Sequence, residues 1–133
     1  MKVIVDRNVL ISGLFFSGPS YQSLDAWRHR AVQLVVSPAI LEEYLEVSER
    51  LSEQFPEVDP RPLMDLILAM STLINAPELS SQVCTDPDDD KFLACAVASN
   101  PQLVISGDKA LLKTSGYRGI TVLKPRLFVE TQR

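Results

Sequence analysis

A chain of 133 residues with 46% hydrophobic and 23% charged content has the size and make-up of one globular domain, 1–133, able to bury a core without disulfides or structural metal. Its formal net charge of −4 argues weakly against gripping nucleic acid through bulk electrostatics, and no apolar run approaches the ~20 residues that span a bilayer. The start lacks the basic, apolar and small-residue succession of a signal peptide, so the expectation is a cytoplasmic protein with no membrane attachment.

Val3 to Val5 reads as a buried first strand, too short for a helix, and it stops on Asp6. Asn8 to Leu14 predicts a helix that Ser17-Gly18-Pro19-Ser20 breaks, and a second helix from about Tyr21 to Arg30 leads into a strand at Gln33 to Val36. Ser37 then offers an N-cap and Pro38 a first helical position. On a wheel of roughly 100° per residue, Ile40, Leu41, Tyr44, Leu45, Val47 and Leu51 fill one broad arc. Glu42, Glu46, Glu49 and Glu53 bunch on the far side. Glu43 belongs to neither group; it falls on the flank of the apolar stripe, which puts its carboxylate at the edge of the core.

Phe55 to Pro60 reads as a turn, and Pro62 to Ile74 as an amphipathic helix whose Leu63, Leu66, Ile67, Met70 and Leu73 belong to the core. Asp86 caps the next helix, and a helix N-terminus accounts for Asp88 and Asp89 without any chemical role. Asp90 stands one residue deeper, ahead of a segment apolar nearly all round. A strand at Leu103 to Ser106 runs into Gly107-Asp108, followed by a short helix at Ala110 to Lys113 and a last strand at Ile120 to Leu123 before Pro125. Strands alternating with helices predict an α/β fold with a mostly parallel sheet covered on both faces.

In such sheets chemistry collects at the carboxyl ends of the strands, and residues remote in sequence meet there only when their strands are neighbours. Asp6, Glu43, Asp90 and Asp108 are the candidate acids. Setting them aside lowers Asp+Glu from 17 to 13, equal to the 13 Lys+Arg, so the acidic excess is concentrated in this set. Grouped carboxylates repel unless a cation sits among them, and a divalent metal is the economical one. The single histidine, His29, is flanked by Arg28 and Arg30 and reads as a surface residue. A Ser-His-Asp triad or a His-based metal site therefore has almost no material. Cys95 lies in the apolar run Phe92 to Val97 as core filling, and Cys84 precedes the acidic turn without zinc-ligand or CxxC spacing.

Four short motifs in order then carry a resemblance over essentially the whole chain. Asp6-Arg7-Asn8-Val9-Leu10 follows the first strand, Ser37 to Tyr44 holds Glu43, Asp86 to Ala94 holds Asp90, and Ser106-Gly107-Asp108-Lys109 closes the set. The chain resembles the PIN-domain family, and is similar to the toxin ribonucleases of bacterial toxin–antitoxin pairs. The resemblance implies a three-layer α/β/α sandwich and hydrolysis of RNA phosphodiester bonds dependent on Mg²⁺ or Mn²⁺. It also implies homodimerisation and an antitoxin protein that plugs the site. Asp6 and Asp90 would hold the principal metal, Glu43 and Asp108 would complete or extend the site, and Asn8 and Ser106 would orient those carboxylates. Arg7, Lys91 and Lys109, with Lys113, would line the approach of the RNA backbone, and Phe15 and Phe16 would serve a dimer face.

Two positions depart from the family pattern. Arg7 replaces a small hydroxyl residue, and Ala110 stands where an acid is common. A guanidinium there either pairs with Asp6, in competition with metal, or points out toward a phosphate. Arg7 therefore motivates an alternative, a catalytically impaired PIN fold acting as an RNA-binding or protein-interaction module. A phosphoacceptor receiver domain is disfavoured, because the second strand runs into Ser37-Pro38 and only one acid follows the first.

Overall fold

The computed structural model describes residues 1–15, 19–99 and 103–131, with residues 14, 15 and 19–21 described by their backbone alone. The dimer face expected at Phe15 and Phe16, and much of the break expected from Ser17 to Ser20, lie outside what is described. The elements in order are β1 (Lys2–Val5), α1 (Arg7–Phe15), α2 (Pro19–Arg28), β2 (Gln33–Val36), α3 (Pro38–Gln54), α4 (Arg61–Met70) and β3 (Thr72–Leu73). A 3-10 turn (Pro87–Asp89) then leads into α5 (Asp90–Ser99), β4 (Leu103–Ile105) and α6 (Lys109–Leu112). A second such turn (Tyr117–Gly119) precedes β5 (Thr121–Leu123) and α7 (Pro125–Thr131). The five strands lie in the order β3-β2-β1-β4-β5, every pairing parallel, with helices about them in an α/β/α sandwich.

Register follows from burial. Val3 pairs with Leu34 on one side and Leu103 on the other, and Ile4 and Val5 face Val104 and Ile105, all of them buried. Strands apolar on both faces belong in the middle of a parallel sheet. β1 is that middle, and the chain leaves it toward β2 in one direction while β4 docks on its other edge. The crevice beyond the carboxyl ends of β1 and β4 is thus the place where the strand order reverses, where α/β sheets bind ligands. Helices seal the sheet through Tyr44, Phe92, Leu93 and Phe128, each fully buried. Burial pushes the thiol of Cys95 up to about 12, and burial followed by nearby Asp90 does the same to Cys84, so both stay protonated as core groups. No helix among the described residues is long and apolar enough to cross a membrane.

Ser37 caps α3 by accepting from the backbone N–H of Ile40 at 3.3 Å, with Pro38 in the first turn. Ile40, Tyr44, Val47 and Leu51 are buried as the wheel requires, and Glu43 is buried with them, whereas Leu45 is exposed. The expected helix to Ile74 is shorter. At Ser71 the backbone turns extended (φ −84°, ψ 157°), and both its N–H and its hydroxyl go to the carbonyl of Ile67. A hydroxyl that bonds back to the i−4 carbonyl competes with helix propagation. Thr72 and Leu73 then pair with Val35 and Val36 as an edge strand, so Leu73 is 60% exposed and not a core residue. α7 was not foreseen, although Pro125 suits a first helical position and Phe128 gives the helix its buried anchor.

Candidate active site

Asp6 stands between the end of β1 and the start of α1. Its backbone N–H donates to the carbonyl of Ile105 at 3.1 Å, which ties it to the end of β4. Its side chain accepts from the backbone N–H of Val9 at 2.9 Å, the bond of a helix cap, and from the hydroxyl of Ser106. Capping alone does not require a carboxylate this deep, with 2% of Asp6 exposed. Burial is the main reason its carboxyl is raised above the usual range, and the bonds from Ser106 and Val9 oppose that shift. Ser106 is fully buried and also accepts from the backbone N–H of Asp108 at 3.0 Å, so one hydroxyl joins Asp6 to the Asp108 turn. Asp108 caps α6 through the N–H of Ala110 at 2.9 Å. Asn8, expected to orient Asp6, is exposed, and the orienting bonds come from Val9 and Ser106.

Glu43 reaches the same crevice from α3. It is 7% exposed, and one of its oxygens, Oε1, takes Nη1 of Arg7 and lies 3.4 Å from Nζ of Lys91. The neighbouring Tyr44 donates its hydroxyl to the carbonyl of Val5, the residue before Asp6, and so fastens α3 to the end of β1. Tyr44→Phe keeps the ring and deletes this bond, and is expected to lower the unfolding free energy by about 1 kcal/mol. A denaturant melt that leaves the midpoint and slope unchanged would remove the latch from this account.

The acidic turn differs from the expectation. Asp86 accepts from the N–H of Asp88 at 3.0 Å and starts a 3-10 turn, and this tighter winding turns Asp89 into the crevice. Asp89 is 2% exposed and accepts from Nη2 of Arg7 at 3.2 Å. Asp90 points elsewhere. Its carboxylate takes the backbone N–H groups of Cys84 at 2.7 Å and Val83 at 3.0 Å, holding the preceding loop onto α5. Burial works against its charge, yet the bonds from Cys84 and Val83 keep its carboxyl below the usual value. Asp89 therefore stands where sequence reading put Asp90. A signal for it exists: Asp89 shares the i+3, i+4 and i+7 stripe with Phe92, Leu93 and Ala96, all fully or almost fully buried.

Arg7 pairs not with Asp6 but with Glu43 and Asp89, and its Nη2 lies 3.9 Å from Asp86. Its guanidinium accounts for only one oxygen of each main partner. Oε2 of Glu43 and Oδ2 of Asp89 are buried with no hydrogen-bond donor. Burial first, and then a side-chain contact with Asp108, raise the carboxyl of Asp89 to about 7, against the lowering effect of Arg7. Two carboxylates in contact need a proton or a cation between them. Among the described residues no three such groups already surround one point closely enough to hold a metal ion. The donor set nevertheless fits a hard divalent cation, being all oxygen with two buried oxygens unsatisfied. An open groove of about 500 Å³ adjoins the cluster, lined by Arg7, Glu43, Arg50, Gln54, Asp88 and Lys91. Lys109 and Lys113 are exposed on and just after α6.

Comparison with known proteins agrees with this architecture. The protein MJ1680 of Methanocaldococcus jannaschii is 31% identical over 116 residues, 84% of this chain and 74% of its own. The crystal structure of PAE2754 from Pyrobaculum aerophilum superposes with a TM-score of 0.63 at 13% identity, over 99% of this chain and 89% of that one. The structure of VapBC2 from Rickettsia felis, bound to a DNA fragment from their promoter, gives 0.61 at 12% identity, over 92% of this chain and 97% of the other. Both likenesses are of fold. A PIN domain profile matches residues 2–110, and the chain belongs to the PIN domain family.

Proposed function

We propose that this protein is a divalent-cation-dependent endoribonuclease whose acids are Asp6, Glu43, Asp89 and Asp108. One observation carries the reading: the oxygens that close the crevice between β1 and β4 include two that are buried without a donor. Family membership supports nuclease chemistry, and the all-oxygen donor set supports Mg²⁺ or Mn²⁺. Such an ion, when bound, supplies Lewis acidity toward the phosphodiester and lowers the pKa of water at neutral pH. The chain's own part is positional. Ser106 holds Asp6 and the Asp108 turn at one spacing, Tyr44 holds α3 and hence Glu43 against β1, and the 3-10 turn presents Asp89. Lys91, Arg50 and Arg7 in the groove offer charge to an RNA backbone, with Lys109 beside Asp108.

The motif resemblance to toxin ribonucleases, on a fold like that of VapBC2, favours a place in a toxin–antitoxin pair; an antitoxin partner, homodimerisation and a cytoplasmic site of action belong to the proposal as what that resemblance implies. Incubation of purified protein with single-stranded RNA is the test. Cleavage is expected with Mg²⁺ or Mn²⁺, and it should vanish in EDTA and in Asp6→Asn. Cleavage that survives both treatments would sink the proposal.

The Arg7 fork favours a second reading, a PIN fold that binds RNA or protein without cutting. Calorimetry with Mn²⁺ separates the two, because a titration of the folded protein that stays silent both with and without a short oligonucleotide supports the binding module.

A further inference from the structure

Arg7 occupies an unusual place. Its backbone is fixed one residue after Asp6 in the first turn of α1, while its guanidinium lies between Glu43 and Asp89 and also lines the open groove. A guanidinium keeps its charge across the accessible pH range, so protonation cannot remove it from the acids. Only movement can. A planar fork serving two carboxylates through one oxygen each leaves Oε2 of Glu43 and Oδ2 of Asp89 unserved, which a divalent ion with several oxygen ligands is able to reach. Ion and guanidinium are both positive, and they compete for the same two side chains.

We propose that Arg7 is a tethered cation that closes the acid cluster until a divalent ion and a nucleic-acid phosphate together draw it out. Metal and polyanion binding are then positively coupled through this one side chain. The inference rests on the nuclease reading and adds a regulated order to it. With Arg7 in, the ion must displace a charge, and its apparent affinity falls by the fraction of molecules in which Arg7 is out. Once out, the guanidinium lies in the groove beside Arg50 and Lys91, where a phosphate accepts two parallel hydrogen bonds from it. A ligand that stabilises the outward position strengthens metal binding, and by linkage the metal strengthens binding of that ligand equally.

The test is calorimetric titration of Mn²⁺ into the full chain, wild type and Arg7→Thr. Each is titrated with and without a short phosphorothioate oligonucleotide, corrected for ion taken up by the oligonucleotide alone. Wild type is expected to bind Mn²⁺ at least about fivefold more tightly when the oligonucleotide is present. Arg7→Thr is expected to bind it about tenfold more tightly than wild type without oligonucleotide, and to gain little more on its addition. Equal or weaker binding by Arg7→Thr overturns the proposal while leaving a metal-dependent nuclease intact. Should that variant not fold, the wild-type arm decides, since an oligonucleotide without effect on Mn²⁺ affinity overturns it as well. No Mn²⁺ uptake in any arm removes both the coupling and the nuclease.

Discussion

Asp89→Asn is expected to reduce RNA cleavage by more than about a hundredfold, beyond what loss of a merely supporting bond near a metal produces. Asp90→Asn should keep most of the activity. The two acids are neighbours in sequence and opposite in surroundings. Asp89 is buried in the crevice against Arg7 and Asp108, whereas Asp90 spends its oxygens on the backbone of Val83 and Cys84. Asparagine at position 90 loses one of those two acceptors, so the cost falls on the loop, at about 1 kcal/mol for a partly buried group. Asparagine at position 89 resembles the protonated acid that the site favours, and it should leave the fold at least as stable at pH 8. Parallel cleavage assays and thermal melts of the two variants decide this. An inactive Asp90→Asn beside an active Asp89→Asn would restore the sequence-based assignment.

The second large effect is on stability as a function of pH. Asp89 in the folded protein holds its proton up to about 7, against 3.8 for the ordinary group, chiefly through burial and the contact with Asp108. Between those values the folded state binds the extra proton, so stability falls as pH rises through the window and levels off above it. In EDTA the wild type should therefore lose melting temperature relative to Asp89→Asn between about pH 4 and 7. Mg²⁺ or Mn²⁺ at pH 8 should restore it, because an ion replaces the proton between the carboxylates. Melting curves for the two proteins that run parallel across that range, with no response to the ion, would contradict the described electrostatics.

Much of this was legible from residue patterns, and the reasons differ from element to element. β2 carries the apolar run Leu34 to Val36 between Gln33 and Ser37, and Ser37-Pro38 marks the start of α3. The angle of Glu43 on α3 put it on the flank of the apolar stripe, at the edge of the core, and the structure buries it there. Asp6 and Asp108 were visible as acids at strand ends, and the pairing of β1 with β4 makes their turns neighbours. The acidic turn was harder to read. Whether Asp86 opens an α-helix or a 3-10 turn rotates each following carboxylate, and a run of acids fits both windings. The edge strand β3 has only two residues and so carries no period, and in sequence Leu73 extends the helical stripe of α4. The partners of Arg7 depend on three segments meeting, which no local pattern contains.

The hydroxyl of Ser106 meets Asp6 across 100 positions of chain. During translation at roughly 5–20 residues per second, the second of these groups leaves the ribosome at least about 5 s after the first. For that interval the nascent polypeptide carries Asp6 without the strand that completes its surroundings. Until β4 has emerged and docked, Asp6 lacks the hydroxyl that fixes its carboxylate, and a polypeptide that terminates upstream of that strand never acquires this bond.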